Sequence, residues 1–172
     1  MVSKETFFET NAKKLRIELD IGLDKKARKS IVDGFSLILA DTYLLMLKTH
    51  CYHWNIKGQL FSDIYDITSK ELNDLYTAVN TLAKRIRALG FDAPGSFVEF
   101  SEMSVIGEAE KEYADKEILA DLTKSNELLA RNIRSILKIT EKNHDHASTE
   151  LLIKRLQKHE QNAWQLRSIL EK

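Results

Sequence analysis

The sequence predicts an all-α fold: a four-helix bundle with one long crossover that carries a short extra helix. Three observations predict it. Breakers are scarce, with one Pro and six Gly in 172 residues, too few for the turns that a multi-stranded sheet needs. Apolar residues recur at helical spacing through four long segments. Only one connection between those segments is long, residues 91–113, and a connection of that length lets the helices on either side lie parallel.

The first helix is expected from about Lys25 to Trp54, with Asp24 as its N-cap. Its apolar residues at helical spacing are Ile31, Phe35, Ile38, Leu39, Tyr43, Leu44, Met46 and Leu47. A tight connection at Asn55–Gly58 leads to a second helix from about Leu60 to Leu89, with Leu72, Leu75, Val79, Leu82, Ile86 and Leu89 as its core stripe. Lys84, Arg85 and Arg87 suit its C-terminal dipole, and Gly90 is the expected residue just past its end. The crossover holds the sole proline, Pro94, and a short helix around Phe97–Met103. A third helix spans about Asp115–Glu141, facing inward with Ile118, Leu122, Leu128, Leu129, Ile133, Ile136 and Leu137. After the polar turn at 142–146, a fourth runs from about Ala147 to Leu170 and buries Leu151, Leu152, Leu156, Trp164, Leu166 and Ile169. Residues 24–172 read as one domain, preceded by an N-terminal arm over 1–23 that is either packed by Phe7 and Phe8 or extended toward phosphate by its lysines.

Composition narrows the classes. Lysine plus arginine balance aspartate plus glutamate at 26 each, so no global field favours nucleic acid and any such contact rests on local patches. Cys51 is the only cysteine, which excludes an internal disulfide and a thiolate cluster within one chain and fits a reducing cytoplasm. The N-terminal MVSKETFFETNAKK lacks the apolar run of a signal peptide, and no apolar segment is expected to reach membrane-spanning length.

Three stretches carry a family resemblance: LADTYLLMLKTHCYHWNIKG, AKRIRALGFDAPGSFVEF and DHASTELLIKRLQKHEQNAWQLRSIL. In that order they resemble the Dps family, the mini-ferritins named as DNA-binding proteins from starved cells, over roughly residues 24–172. The resemblance implies a ferritin-like bundle assembled as a hollow homo-oligomeric shell of twelve subunits, with iron held inside as ferric mineral and DNA protected.

The resemblance also implies an iron-oxidising centre between two-fold-related subunits, made of two His, two Asp and one Glu. These ligands fall at positions 53, 65, 69, 80 and 84. Only His53 is retained. Tyr65 stands for His, Ser69 for Asp, Asn80 for Asp and Lys84 for Glu. Hydroxyl and amide oxygens are weak partners for ferrous iron, and the Lys84 ammonium would repel it. The ferroxidase centre is therefore expected to be degenerate. Asp63, Asp66, Glu71 and Asp74 on the same helix read as a solvated acidic face, His50 as a hydrogen-bonded interface histidine, and Cys51 as structural. Asn80 and Lys84, one turn apart, are candidates for an interfacial hydrogen bond or ion pair in place of iron.

By the same resemblance Asp145, His146 and Glu150 fall where such shells have acidic pores; a plain helix-start cap explains them equally well. Lys4, Lys13, Lys14, Lys25, Lys26, Arg28 and Lys29 are the candidates for DNA phosphate, weak singly and repeated over a shell. Three functions stay open: a DNA-protecting and iron-holding shell, an active ferroxidase using peroxide or oxygen, and a structural shell without iron chemistry.

Overall fold

The computed structural model describes residues 18–109 and 113–171. Four long helices and one short one form the bundle: α1 Lys25–Asn55, α2 Phe61–Ala88, α3 Phe97–Met103, α4 Asp115–Lys142 and α5 His146–Leu170. No strand occurs among the described residues. Every predicted helix is present within about two residues of its expected ends.

Local chemistry sets those ends. Asp24 caps α1 by accepting from the Ala27 amide at 2.8 Å, and Ser96 and Glu99 form a reciprocal capping box on α3. Gly90 follows the last turn of α2 with φ +87°, the left-handed conformation that glycine takes without penalty. At α4 the Glu117 carboxylate accepts from the Ala114 amide at 2.8 Å.

Two long-range contacts show that α2 and α4 run parallel. Asp115 at the start of α4 accepts from the Leu60 amide at the start of α2, 2.9 Å. At the far ends, Arg85 of α2 reaches Asp145 just beyond α4 at 2.6 Å. The crossover between them lays α3 against α1, where Tyr43 stacks on Phe100 at 4.7 Å between ring centres.

The core is largely aliphatic, with Ile31, Ile38, Leu45, Ile64, Leu75, Leu82, Ile86, Ile118, Leu119, Leu122, Leu129, Ile133, Leu152 and Leu166 all buried together with Phe35. One inward assignment is corrected, that of Trp164. Tyr43, Leu47 and Trp164 are exposed, Trp164 at 58%, because α1 and α5 each bury a narrower stripe than their apolar content suggests. The membrane expectation is also corrected. Helix α1 is long and apolar enough to span a bilayer by length and composition; most of its aliphatic residues instead pack inside the bundle, Ile31, Ile38, Leu39 and Leu45 among them.

Candidate functional site

The end of α1 and the start of α2 bring together the aromatic and imidazole rings of the HWN element. His53 stacks on Tyr65 with ring centres 4.3 Å apart and planes 27° from parallel, and Tyr65 stacks in turn on Phe61 at 5.4 Å. His50 leans on Trp54 at 4.9 Å. Trp54 is 71% exposed, so a large aromatic surface stands open beside the stack.

His53 is oriented from below. Its Nδ1 lies 2.8 Å from Thr68 Oγ1, and the Thr68 hydroxyl donates to the Ile64 carbonyl at 2.6 Å. The imidazole is held below its ordinary pKa by burial and then by His50. Neutral imidazole is the metal-binding form, so His53 has the protonation state of a ligand.

The other four positions carry no imidazole or carboxylate. Tyr65 contributes a ring face, and Ser69 is half-buried. Asn80 is exposed and donates to the Tyr76 carbonyl of its own helix at 2.9 Å. Lys84 is exposed about one turn before the helix end. Among the described residues, no group of three or more His, Cys, Asp or Glu side chains could hold a metal ion. One imidazole with a phenol, a hydroxyl, an amide and an ammonium does not fit ferrous iron.

The acidic face expected on α2 is corrected in two of its four members. Glu71 is 2% exposed, accepting from Asn126 at 2.7 Å and Asn162 at 3.2 Å through one oxygen. Asp74 is ion-paired with Arg155 of α5 at 2.7 Å. Arg155 also meets His159 Nε2 at 3.1 Å, and His159 Nδ1 lies 2.8 Å from Asn126 Oδ1. Asp66 is exposed and Asp63 half-buried. Sequence reasoning missed this core cluster, although a signal for it exists. Glu71 follows Ile64 by seven positions and precedes Leu75 by four, and His159 follows Leu152 by seven and precedes Leu166 by seven. Both therefore lie on core stripes.

Of the pore candidates, Asp145 is 4% exposed; it caps α5 by accepting from the Ser148 amide at 3.1 Å and pairs with Arg85. His146 is exposed, and exposed Glu150 pairs with Lys154 at 2.6 Å. Of the phosphate candidates, Lys25 and Lys26 are exposed in the first turn of α1. Lys29 is paired with Asp33. Arg28 is half-buried and donates to the carbonyls of Leu23 at 3.1 Å and Leu89 at 2.9 Å. Lys4, Lys13 and Lys14 lie outside the described residues. Cys51 is half-buried, with Sγ 3.8 Å from the Tyr113 hydroxyl.

The family model of the ferritin-like domain matches residues 36–172. A DNA protection during starvation protein of Bacillus anthracis is 25% identical over 142 residues, 83% of this chain and 97% of that one. A low temperature-induced protein of Nostoc sp. is 28% identical over 155 residues, 89% of this chain and 87% of its own. Among solved structures, the Dps protein of Vibrio cholerae, described as a member of the ferritin-like diiron-carboxylate proteins, superposes with a TM-score of 0.83 at 24% identity, covering 87% and 94% of the two chains. Antigen TpF1 of Treponema pallidum superposes with a TM-score of 0.83 at 25% identity, covering 90% and 100%. With its ferritin-like match over residues 36–172 and its Dps-type bundle, this chain belongs to the ferritin-like family as a mini-ferritin of the Dps type.

Proposed function

We propose that this protein forms a Dps-type shell of twelve subunits in the cytoplasm, sequestering iron and protecting DNA under stress, and that its intersubunit ferroxidase centre is degenerate. The observation that carries the degenerate centre is the stack of Tyr65 on His53. A phenol ring lies over the one retained imidazole, on a helix whose other three ligand positions present a hydroxyl, an amide and an ammonium. Iron enters this reading as cargo. In the assembled shell, His53, Tyr65, Phe61 and Trp54 contribute apolar contact between copies, with Asn80 and Lys84 supplying polar contacts where the family holds metal. Starvation-protection relatives support the DNA role. Exposed Lys25 and Lys26, with the lysines of residues 1–17, are the groups that would meet phosphate, repeated over the shell.

Anaerobic ferrous addition followed by peroxide, monitored for the ferric core, tests the centre. The expected result is slow oxidation by the unmodified protein and faster oxidation once Tyr65→His, Ser69→Asp, Asn80→Asp and Lys84→Glu are introduced together. Rapid oxidation by the unmodified protein would favour the active ferroxidase reading. A mobility shift that weakens with salt supports DNA binding; no shift at low salt together with no ferric core leaves the structural shell.

A further inference from the structure

The polar cluster inside the bundle has a fixed hydrogen-bond direction. A guanidinium only donates, so Arg155 Nη2 makes His159 Nε2 an acceptor at 3.1 Å. The His159 proton therefore sits on Nδ1 and is donated to Asn126 Oδ1 at 2.8 Å. That leaves the Asn126 amide nitrogen to donate to Glu71 Oε1 at 2.7 Å, joined there by Asn162 at 3.2 Å. Glu71 Oε2 is buried and has no partner. A second proton on His159 would point at a cation, and an ionised Glu71 would leave a bare oxygen in the core. Both charged forms are disfavoured by position.

We propose that Glu71 and His159 are a proton-compensated pair: on folding Glu71 gains a proton and His159 sheds one, so that together they leave the bundle's stability insensitive to pH across the weakly acidic range. The charged groups that face them are few. Helix α2 supplies Asp74, α5 supplies Arg155 and Lys158, and α4 contributes the neutral Asn126. The buried charges of α1 are engaged elsewhere, Asp41 with Ser104 and Asn132 and Lys48 with Asp121.

The direction of each shift agrees with the geometry. Burial pushes Glu71 from 4.5 up to about 7, against the hydrogen bonds of Asn126 and Asn162. Burial, then Arg155 and Lys158, hold His159 well below 6.5. On the acid side of 6.5 the unfolded chain favours the proton on His159, whereas the folded chain favours it on Glu71. The two shifts are of opposite sign, so their pH slopes offset each other there.

Urea unfolding of the assembled protein between about pH 5 and 6.5 tests the pair. Glu71→Gln leaves His159 alone, and stability relative to the unmodified protein should rise with pH. His159→Gln leaves Glu71 alone, and stability should fall with pH. The expected linkage is about one proton in each, of opposite sign. Parallel slopes in all three proteins overturn the proposal. Infrared spectra of the unmodified protein near pH 6 provide a reading that needs no variant: a protonated-carboxyl band is expected, and its absence overturns the proposal.

Discussion

Thr68 Oγ1 lies 2.8 Å from His53 Nδ1 and 2.6 Å from the Ile64 carbonyl oxygen, so one hydroxyl ties the last turn of α1 to the first turns of α2. Its proton goes to Ile64, which makes it the acceptor for His53 Nδ1–H and leaves Nε2 with its lone pair. Thr68→Val keeps the shape and removes the acceptor. The expected loss is about 1–2 kcal/mol in urea unfolding, with helical content unchanged; an unaltered midpoint would contradict this role.

His53 should titrate below 6.5, through burial and then through His50. A base whose folded pKa is depressed binds fewer protons when folded than when unfolded. Its contribution is present above the unfolded value and is lost as pH falls through it. An NMR titration should place the His53 midpoint below 6.5, and His50→Gln should move it part of the way back up. No movement would remove His50 as a cause.

Asp145 joins a helix cap and an ion pair in one carboxylate. Burial by itself raises its pKa, and the Arg85 and Ser148 hydrogen bonds, with the Arg85 charge, outweigh burial and hold it below the ordinary value. The stabilisation is thus present above about pH 4 and lost on further acidification. Asp145→Ala should cost about 3 kcal/mol at neutral pH, because the cap disappears and Arg85 is left half-buried without its partner. Thermal unfolding at neutral pH and again near pH 3 measures both parts: the gap between variant and parent should shrink in acid.

Gly34 sits in the middle of α1 where helix propensity favours alanine. A Cβ there would lie 2.6 Å from Ile136 Cγ2 and 2.8 Å from its Cδ1 on α4. Gly34→Ala should therefore destabilise the bundle by about 1–3 kcal/mol, and adding Ile136→Val should recover part of the loss. A gain in stability from Gly34→Ala alone would show that Ile136 yields freely.

The helices were legible because their signals are local. Asp24, Ser96 and Gly90 mark ends by side-chain or backbone chemistry that acts within a few residues. The site was legible only as positions. Nothing local says that Tyr65 folds over His53, since that contact joins two helices. Glu71 was read as solvated because carboxylates usually are, while its place on the stripe of Ile64 and Leu75 already pointed inward. Its partners Asn126 and His159 come from two other helices, and pairing across a bundle leaves no mark in one segment. Trp164 failed in the opposite sense: an aromatic ring on an amphipathic helix suggests the core, yet its face of α5 is outward.

Arg28 clasps Leu23 on one side and Leu89 on the other, and Leu19 fills the space that a side chain at residue 90 would claim. Residues 21–23 also wall a cleft of 470 Å³ with Arg85, His144 and Asp145. Residues 19–23 are thus moored at the corner where α2 ends and the α4–α5 turn begins. A pull on residues 19–23 would load the Arg28 hydrogen bonds to Leu23 and Leu89 before it reached the interior of α1. The start of α1 is thereby anchored twice, by its own cap at Asp24 and by the end of α2.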